Sequence, residues 1–323
     1  MPNDFAPNLF EKPDKMAGRE GFGEGLLALG ETTLNVVALT AGVVESVKMD
    51  KFAKKFPDRF FNVGIAEQNM IGIASGLSLS GKVPFAATFG SFMSRAMDHI
   101  RVSVAYGKLN VKLLATHCGL SVGADGASAQ MMEDISMFRV LPNFTVIVPA
   151  DFYEAKKSII GSAFIKGPVY IRVGREKTPV MTTADTKFEI GKAELFNEGK
   201  DVTIVACGSL VYDALIAAKQ LEKEDISVRV LNNHTIKPID SETIIKAAKE
   251  TGAIVTAEEH QIYGGLGSAV SEVVAQNYPV PVKFIGMKDV FGESGTSAEL
   301  MKAYGMTSQD IVNAVKDVLK RKR

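Results

Sequence analysis

Short apolar runs alternate with helical patterns from residue 35 to residue 173, and this alternation constrains the fold more than any other feature of the chain. The runs 35–40, 60–63, 83–88, 111–116, 144–148 and 169–173 are rich in Val, Ile, Leu, Phe and Ala and lack a polar face. Strands of that kind are buried on both sides, which is the habit of a parallel sheet with helices packed on each face. Helical periodicity fills the gaps at 48–56, 66–80, 91–106, 129–139 and 151–165. A polar stretch at 174–188, carrying Pro179, interrupts the pattern. A second alternation follows, with strands expected at 202–206, 227–231, 253–257 and 282–285 and helices at 209–223, 240–250, 267–277, 297–304 and 308–320. The expected fold class is α/β: two parallel-sheet, three-layer domains. With 323 residues the chain is long enough for both. The expected division is an N-terminal arm at 1–17, extended or partly ordered, a first domain at 18–180, a linker at 181–192 and a second domain at 193–323.

Composition narrows the function classes. Lys plus Arg equals Asp plus Glu at 37 each, so no basic field for nucleic acid or an anionic membrane is expected. Two cysteines, Cys118 and Cys207, lie far apart without a Cys-x-x-Cys pair, which fits a reducing compartment. The N-terminus lacks a basic segment leading into an apolar core, and no apolar run approaches the roughly 18 residues of a membrane span. A soluble, cytoplasmic protein is expected. The four histidines show no metal-ligand spacing, so no metal site is expected on this chain. The closing Lys-Arg-Lys-Arg reads as a solvated tail.

The segment Gly-Arg-Glu-Gly-Phe-Gly-Glu-Gly-Leu at 18–26 invites comparison with a dinucleotide fingerprint. It follows no strand, and Leu26 stands where the third glycine belongs, so that reading fails. Leu26, Leu27 and Leu29 instead suggest a helix ending at Gly30. In parallel sheets ligands bind beyond the carboxyl ends of the strands. The polar and aromatic residues found there are Ser46, Glu67, Phe89, Phe92, Arg95, Asp98, His117, Asp125, Arg172 and Arg175. Carboxylates, two aromatic rings, a histidine and several cations suit a flat ring bound beside an anionic substrate. Each has a plainer reading: Glu67 as a first-turn acid, the phenylalanines as core, His117 as a backbone cap. Gly72 and Gly76, four apart in the helix that Glu67 opens, suggest a backbone packed closely against that helix.

Ordered motifs across nearly the whole chain carry a resemblance. They are Arg-Glu-Gly-Phe-Gly-Glu at 19–24, Phe-Phe-Asn-Val-Gly-Ile-Ala-Glu-Gln-Asn at 60–69, Thr-Phe-Gly-Ser-Phe at 88–92, Thr-His at 116–117, Gly-Ala-Asp-Gly at 123–126, Val-Pro-Ala-Asp at 148–151, Gly-Arg-Glu-Lys at 174–177, His-Thr-Ile-Lys-Pro-Ile-Asp at 234–240 and Thr-Ala-Glu-Glu-His at 256–260. The sequence resembles the C-terminal half of a transketolase, as found in transketolases split into two subunits. That resemblance implies a pyrimidine-binding domain for thiamine diphosphate followed by a transketolase C-terminal domain. It implies Glu67 as the carboxylate that activates the cofactor through its ring nitrogen, with Ile65, Phe89 and Phe92 around the pyrimidine. It further implies Arg19, Ser46, His117 and Arg175 as holders of a sugar phosphate and Asp125 as a contact to a sugar hydroxyl. The Gly-Asp-Gly motif followed by Asn, which holds the diphosphate and Mg2+ in the family, is missing from this sequence. The implied assembly therefore pairs this chain with an N-terminal subunit that holds the ion, two copies of each. Gly42, Ala124 and Ala129 depart from the family's usual Asp, Glu and His, which implies altered sugar recognition. The β subunit of a 2-oxo-acid dehydrogenase decarboxylase and a non-catalytic partner subunit are the alternative readings.

Overall fold

Each apolar run identified in the sequence forms a strand in the computed structural model, which describes residues 5–322. The first sheet has seven strands in the order Thr235–Lys237, Thr145–Ile147, Val169–Arg172, Lys112–Thr116, Val83–Phe89, Val36–Thr40, Phe60–Asn62. All pairings are parallel except that of Thr235–Lys237. The second sheet runs Val282–Met287, Ile254–Gln261, Val202–Ala206, Val228–Asn232, Glu194–Asn197, and its last strand is antiparallel. Both sheets are thus parallel with one antiparallel edge.

The strand Val36–Thr40 shows why the continuous runs form such sheets. Val36 and Ala38 join one apolar cluster and Val37 and Leu39 another, so helices cover both faces. Each fully buried Val or Leu adds about 1.5–3 kcal/mol to that layering. The helices Gly18–Thr32 and Phe152–Ser162 cover one face together. A Cβ at Gly21 would lie 2.3 Å from the Phe152 carbonyl oxygen, and one at Gly25 would lie 2.8 Å from that of Lys156. The glycine-rich segment that mimics a nucleotide fingerprint is therefore a helix-packing stripe. Its helix runs to Thr32, past the stop expected at Gly30, because Gly30 is a contact point for Phe52 and Phe56 and not a cap.

Several expectations need correction. The arm is ordered from residue 5: Phe5 packs edge-on to Phe196 at 4.7 Å, Leu9 is buried, and Lys15–Ala17 pairs antiparallel with Lys177–Pro179. Its apolar residues find pockets on the second domain, and residues 1–4 lie outside the described part. The helix expected at 91–106 is wound three ways, as α at Gly90–Met93 and Met97–His99, 3-10 at Ser94–Ala96 and π at Ile100–Tyr106. Apolar spacing does not register such changes of pitch. The helix expected at 129–139 starts only at Asp134, since residues 119 and 131 are tied by a backbone hydrogen bond that holds this stretch as a loop. Lys320, Arg321 and Lys322 are exposed, and Arg323 lies outside the described residues. Among the described residues no helix is long and apolar enough to cross a membrane.

Candidate active site

The carboxyl ends of the first sheet's strands bring most of the singled-out residues into one connected line. Glu67 is the first residue of the helix Glu67–Leu79, and its side chain is nearly buried. The turn before it is set by Asn62, whose side-chain oxygen accepts the backbone N–H groups of Gly42 at 3.0 Å and Gly64 at 3.2 Å. Arg95 places one guanidinium nitrogen 3.5 Å from the Glu67 carboxylate and its carbon 4.9 Å from the centre of the Phe92 ring. Phe92 stacks on Phe89 at 4.9 Å, and Phe89 stacks on His117 at 3.7 Å. The hydroxyl of Ser91, between the two phenylalanines in sequence, is buried without a partner among the described residues.

His117 leaves the strand Lys112–Thr116 with a left-handed backbone, φ 55°, and its Nδ1 shares a 2.9 Å hydrogen bond with the Thr116 hydroxyl. Burial, then the nearby positive charges of Arg19 and Arg175, push its pKa down to about 4 against a smaller opposing pull from Asp125. The imidazole is neutral at physiological pH. Arg19 donates to the Ser46 backbone oxygen at 3.1 Å, while its Nε is buried without a partner among the described residues. Arg175 donates to the Val122 oxygen at 3.2 Å and the Asp125 carboxylate at 3.3 Å. Two cations with unused donors, a neutral imidazole and a carboxylate thus stand at one end of the line, and Glu67 with an aromatic face at the other. A flat heterocycle carrying hydrogen-bonding nitrogens suits the second end, and an anionic polyol suits the first.

Not every residue singled out in the sequence falls into this line. Ile65 is 84% exposed, and its side chain lies 3.3 Å from where a Cβ on Gly42 would stand. Ser46 meets Arg19 through its backbone oxygen. Arg172, read from sequence as a rim cation, points the other way. It is buried, paired with Asp134 at 2.7 Å, and donates to the backbone oxygen of Glu259. Gly72 and Gly76 have no neighbouring chain atoms at all where a Cβ would stand, so the close packing expected there is absent within this chain. Gly42 has φ +83°, a left-handed conformation that disfavours the Asp usual in the family. Ala124 is exposed and Ala129 half-buried in the loop that carries Asp125. Asn62 and Arg95 are the residues that sequence reasoning undervalued. Arg95 follows Phe92 by three positions, a spacing that predicts a cation over the ring. Among the described residues no group of three or more His, Cys, Asp or Glu side chains is placed to hold a metal ion.

Comparison with known proteins places this geometry in a family. The pyrimidine-binding domain of transketolase matches residues 14–181, and the transketolase C-terminal domain matches residues 191–311. A protein of Methanocaldococcus jannaschii described as a transketolase C-terminal section is 47% identical over 94% of this chain and 96% of its own length. A 6-deoxy-6-sulfo-D-fructose transketolase subunit from a Clostridium strain is 39% identical over 94% of this chain and 95% of its own. A split-gene transketolase solved as an inactive β4 tetramer superposes with a TM-score of 0.90 at 50% identity, covering 95% of this chain and 100% of that one. With both domain families and full-length relatives in agreement, the chain belongs to the thiamine diphosphate-dependent transketolase family, as the C-terminal subunit of a split transketolase.

Proposed function

We propose that this chain forms half of the active site of a ketol transferase that moves a two-carbon unit from a ketose, or ketose phosphate, to an aldose acceptor. The observation that carries the reading is the unbroken line from Glu67 through Arg95, Phe92 and Phe89 to His117, with Arg19, Arg175 and Asp125 at its far end. Thiamine diphosphate, when bound, supplies the nucleophilic carbon that attacks the ketose carbonyl. Phe92 and Phe89 would face its pyrimidine, and the unpartnered Ser91 hydroxyl stands next to them. Glu67 is held nearly dry at a helix start, where a carboxylate is able to share a proton with a ring nitrogen. Arg19 and Arg175 would take the anionic end of the sugar, His117 a hydroxyl as a neutral donor or acceptor, and Asp125 a further hydroxyl.

An N-terminal subunit completes the site in this reading, holding the diphosphate and Mg2+ in a two-plus-two assembly. The helix Glu67–Leu79 turns Gln68, Asn69, Gly72, Gly76 and Leu79 to solvent, and the neighbouring Ile100–Tyr106 turns out Val102 and a Tyr106 that is 86% exposed. That face adjoins Glu67 and suits a subunit contact. The split-gene transketolase relative is described as an inactive β4 tetramer, and inactivity is likewise expected of this chain on its own. A relative is described as acting on 6-deoxy-6-sulfo-D-fructose, and Ala124 and Ala129 lack the polar groups of the usual loop, so we extend the proposal to a non-standard sugar.

The test is reconstitution with the N-terminal subunit, followed by assay of xylulose 5-phosphate and 6-deoxy-6-sulfofructose as donors with an aldose phosphate acceptor. Cofactor-dependent ketol transfer, abolished by Glu67→Ala, is the expected result. Full activity of the Glu67→Ala complex would overturn the assignment, and unimpaired turnover of xylulose 5-phosphate would overturn the altered-sugar extension.

A further inference from the structure

The Glu258–His260 segment at the end of the strand Ile254–Gln261 lies outside the line of site residues, yet it holds one of the site's loops. Its Gly-Gly-Leu-Gly turn has the form of an anion nest, and the chain fills that nest itself. Glu258 accepts the backbone N–H groups of Leu266 at 2.7 Å and Gly267 at 2.8 Å, capping the next helix. Its neighbour points to the opposite face, as alternate strand residues do. The Glu259 carboxylate bridges the two domains: one oxygen accepts the backbone N–H of Ser121 in the first at 2.5 Å, and the other accepts the Ser209 hydroxyl of its own domain at 2.9 Å. A Cβ at Gly119, φ +92°, would lie 2.4 Å from the first of these oxygens, so the loop backbone turns tightly around the carboxylate. The same residue's carbonyl oxygen accepts from Arg172.

The other end of this loop is held from the same side. Gln130 donates to the Gly123 oxygen at 3.2 Å and to the Glu293 oxygen of the second domain at 2.9 Å. Between these two anchors lie Val122, Ala124, Asp125 and Ala129, and Arg175 is fixed in place by the Val122 oxygen and the Asp125 carboxylate. The second domain contributes none of the residues in the Glu67-to-His117 line, but the backbone carrying Asp125 is pinned to it.

We infer that Glu259 is a positioning residue: by gripping the 119–121 turn it fixes where Asp125 and Arg175 meet the sugar, so the second domain sets sugar affinity without touching the sugar. The inference rests on the function proposed above. Its test uses the reconstituted complex carrying Glu259→Ala, Glu259→Gln, or Val312→Ala, a buried change on the helix Ser308–Leu319, which packs on Leu210–Glu222. Loss of a hydrogen-bonding carboxylate predicts a rise of about tenfold in the KM for the donor sugar. The kcat and the thiamine diphosphate affinity should stay near the wild-type values. Glu259→Gln, which can still accept from Ser121 and bond to Ser209, should recover most of the affinity. Amide hydrogen exchange over 119–126 should quicken in Glu259→Ala and not in Val312→Ala. The inference is overturned if Glu259→Ala and Val312→Ala shift KM and exchange alike, if Glu259→Gln is as impaired as the alanine variant, or if kcat falls while KM holds. A wild-type complex with no ketol transfer would instead remove the function proposed above and the affinity role with it, and exchange over 119–126 would then decide the anchoring alone.

Discussion

Two polar regions lie on either side of the loop that carries Asp125, and they are built in opposite ways. On the Glu67 side the groups are more exposed: a 57% exposed Arg95 spans the carboxylate and a ring, Arg19 Nε and the Ser91 hydroxyl have no partner among the described residues, and the adjoining helix face is open. On the Glu259 side the groups are buried and joined to one another, although Arg172 Nε, Asp134 Oδ1 and Gln130 Oε1 also lack a hydrogen-bond partner among the described residues. Arg172 holds Asp134 at 2.7 Å, the Tyr170 hydroxyl donates to the same carboxylate at 2.7 Å, and Tyr170 stacks on Phe138 at 3.7 Å. Unmet polar groups cost stability in a chain on its own. Buried ion pairs and stacked rings of this kind help to fix a single geometry. The contrast is between the partly exposed face proposed here for chemistry and the buried frame beside it.

The contrast can be broken most sharply at its two carboxylate ends. Glu67→Ala should lower kcat of the complex by about 10²–10⁴-fold while leaving the urea midpoint of the isolated chain nearly unchanged. Arg172→Ala, at the closed end, should destabilise the isolated chain by about 3–5 kcal/mol, because it leaves the Asp134 charge buried and unpaired. If the two variants showed similar stability losses, the division into two regions would fail. A smaller effect is expected at the ring face, where Phe92→Ala should weaken cofactor binding about three- to tenfold in a titration of the complex. His117 sharpens the comparison through pH. Its pKa falls from 6.5 to about 4 on folding, so below pH 6.5 the unfolded chain takes up a proton that the folded chain refuses. That contribution to stability is complete above pH 6.5 and is lost as pH drops toward 4. His117→Gln should therefore lose less stability than wild type on acidification through this window, and parallel curves would refute the assignment. The mildest change is Arg95→Ala. An exposed ion pair is worth at most about 1 kcal/mol, so cofactor affinity should move by less than about fivefold, toward tighter binding as the Phe92 face is cleared.

The open region was largely legible in the sequence and the closed one was not. Glu67, Phe89, Phe92, His117 and Arg175 follow strand ends that apolar periodicity locates within a residue or two, and family motifs run through the same places. Arg172 was misread because its position in the chain says nothing of its direction. The strand alternation that puts Tyr170 and Arg172 on one face was the available clue, since two polar side chains there demand a buried partner. Their partners, Asp134 and Glu259, lie 36 and 87 residues away, a separation no local pattern spans. The glycine pairs teach the same limit. Gly21 with Gly25 and Gly72 with Gly76 share one spacing, yet the first pair meets a helix of its own chain and the second faces solvent. The antiparallel edge strands, at three and four residues, are too short to stand out from loops.

One of those short strands has a consequence for how this protein can be dissected. Thr235–Lys237 belongs in sequence to the second domain but closes the edge of the first sheet, bonding along Thr145–Ile147. Expression of the first domain alone, cut at the apparent linker, would uncover a row of backbone donors and acceptors on a strand flanked by apolar residues. Such an edge recruits other chains. The fragment is expected to aggregate where the whole chain does not, so a soluble minimal unit of this subunit has to extend at least past residue 237.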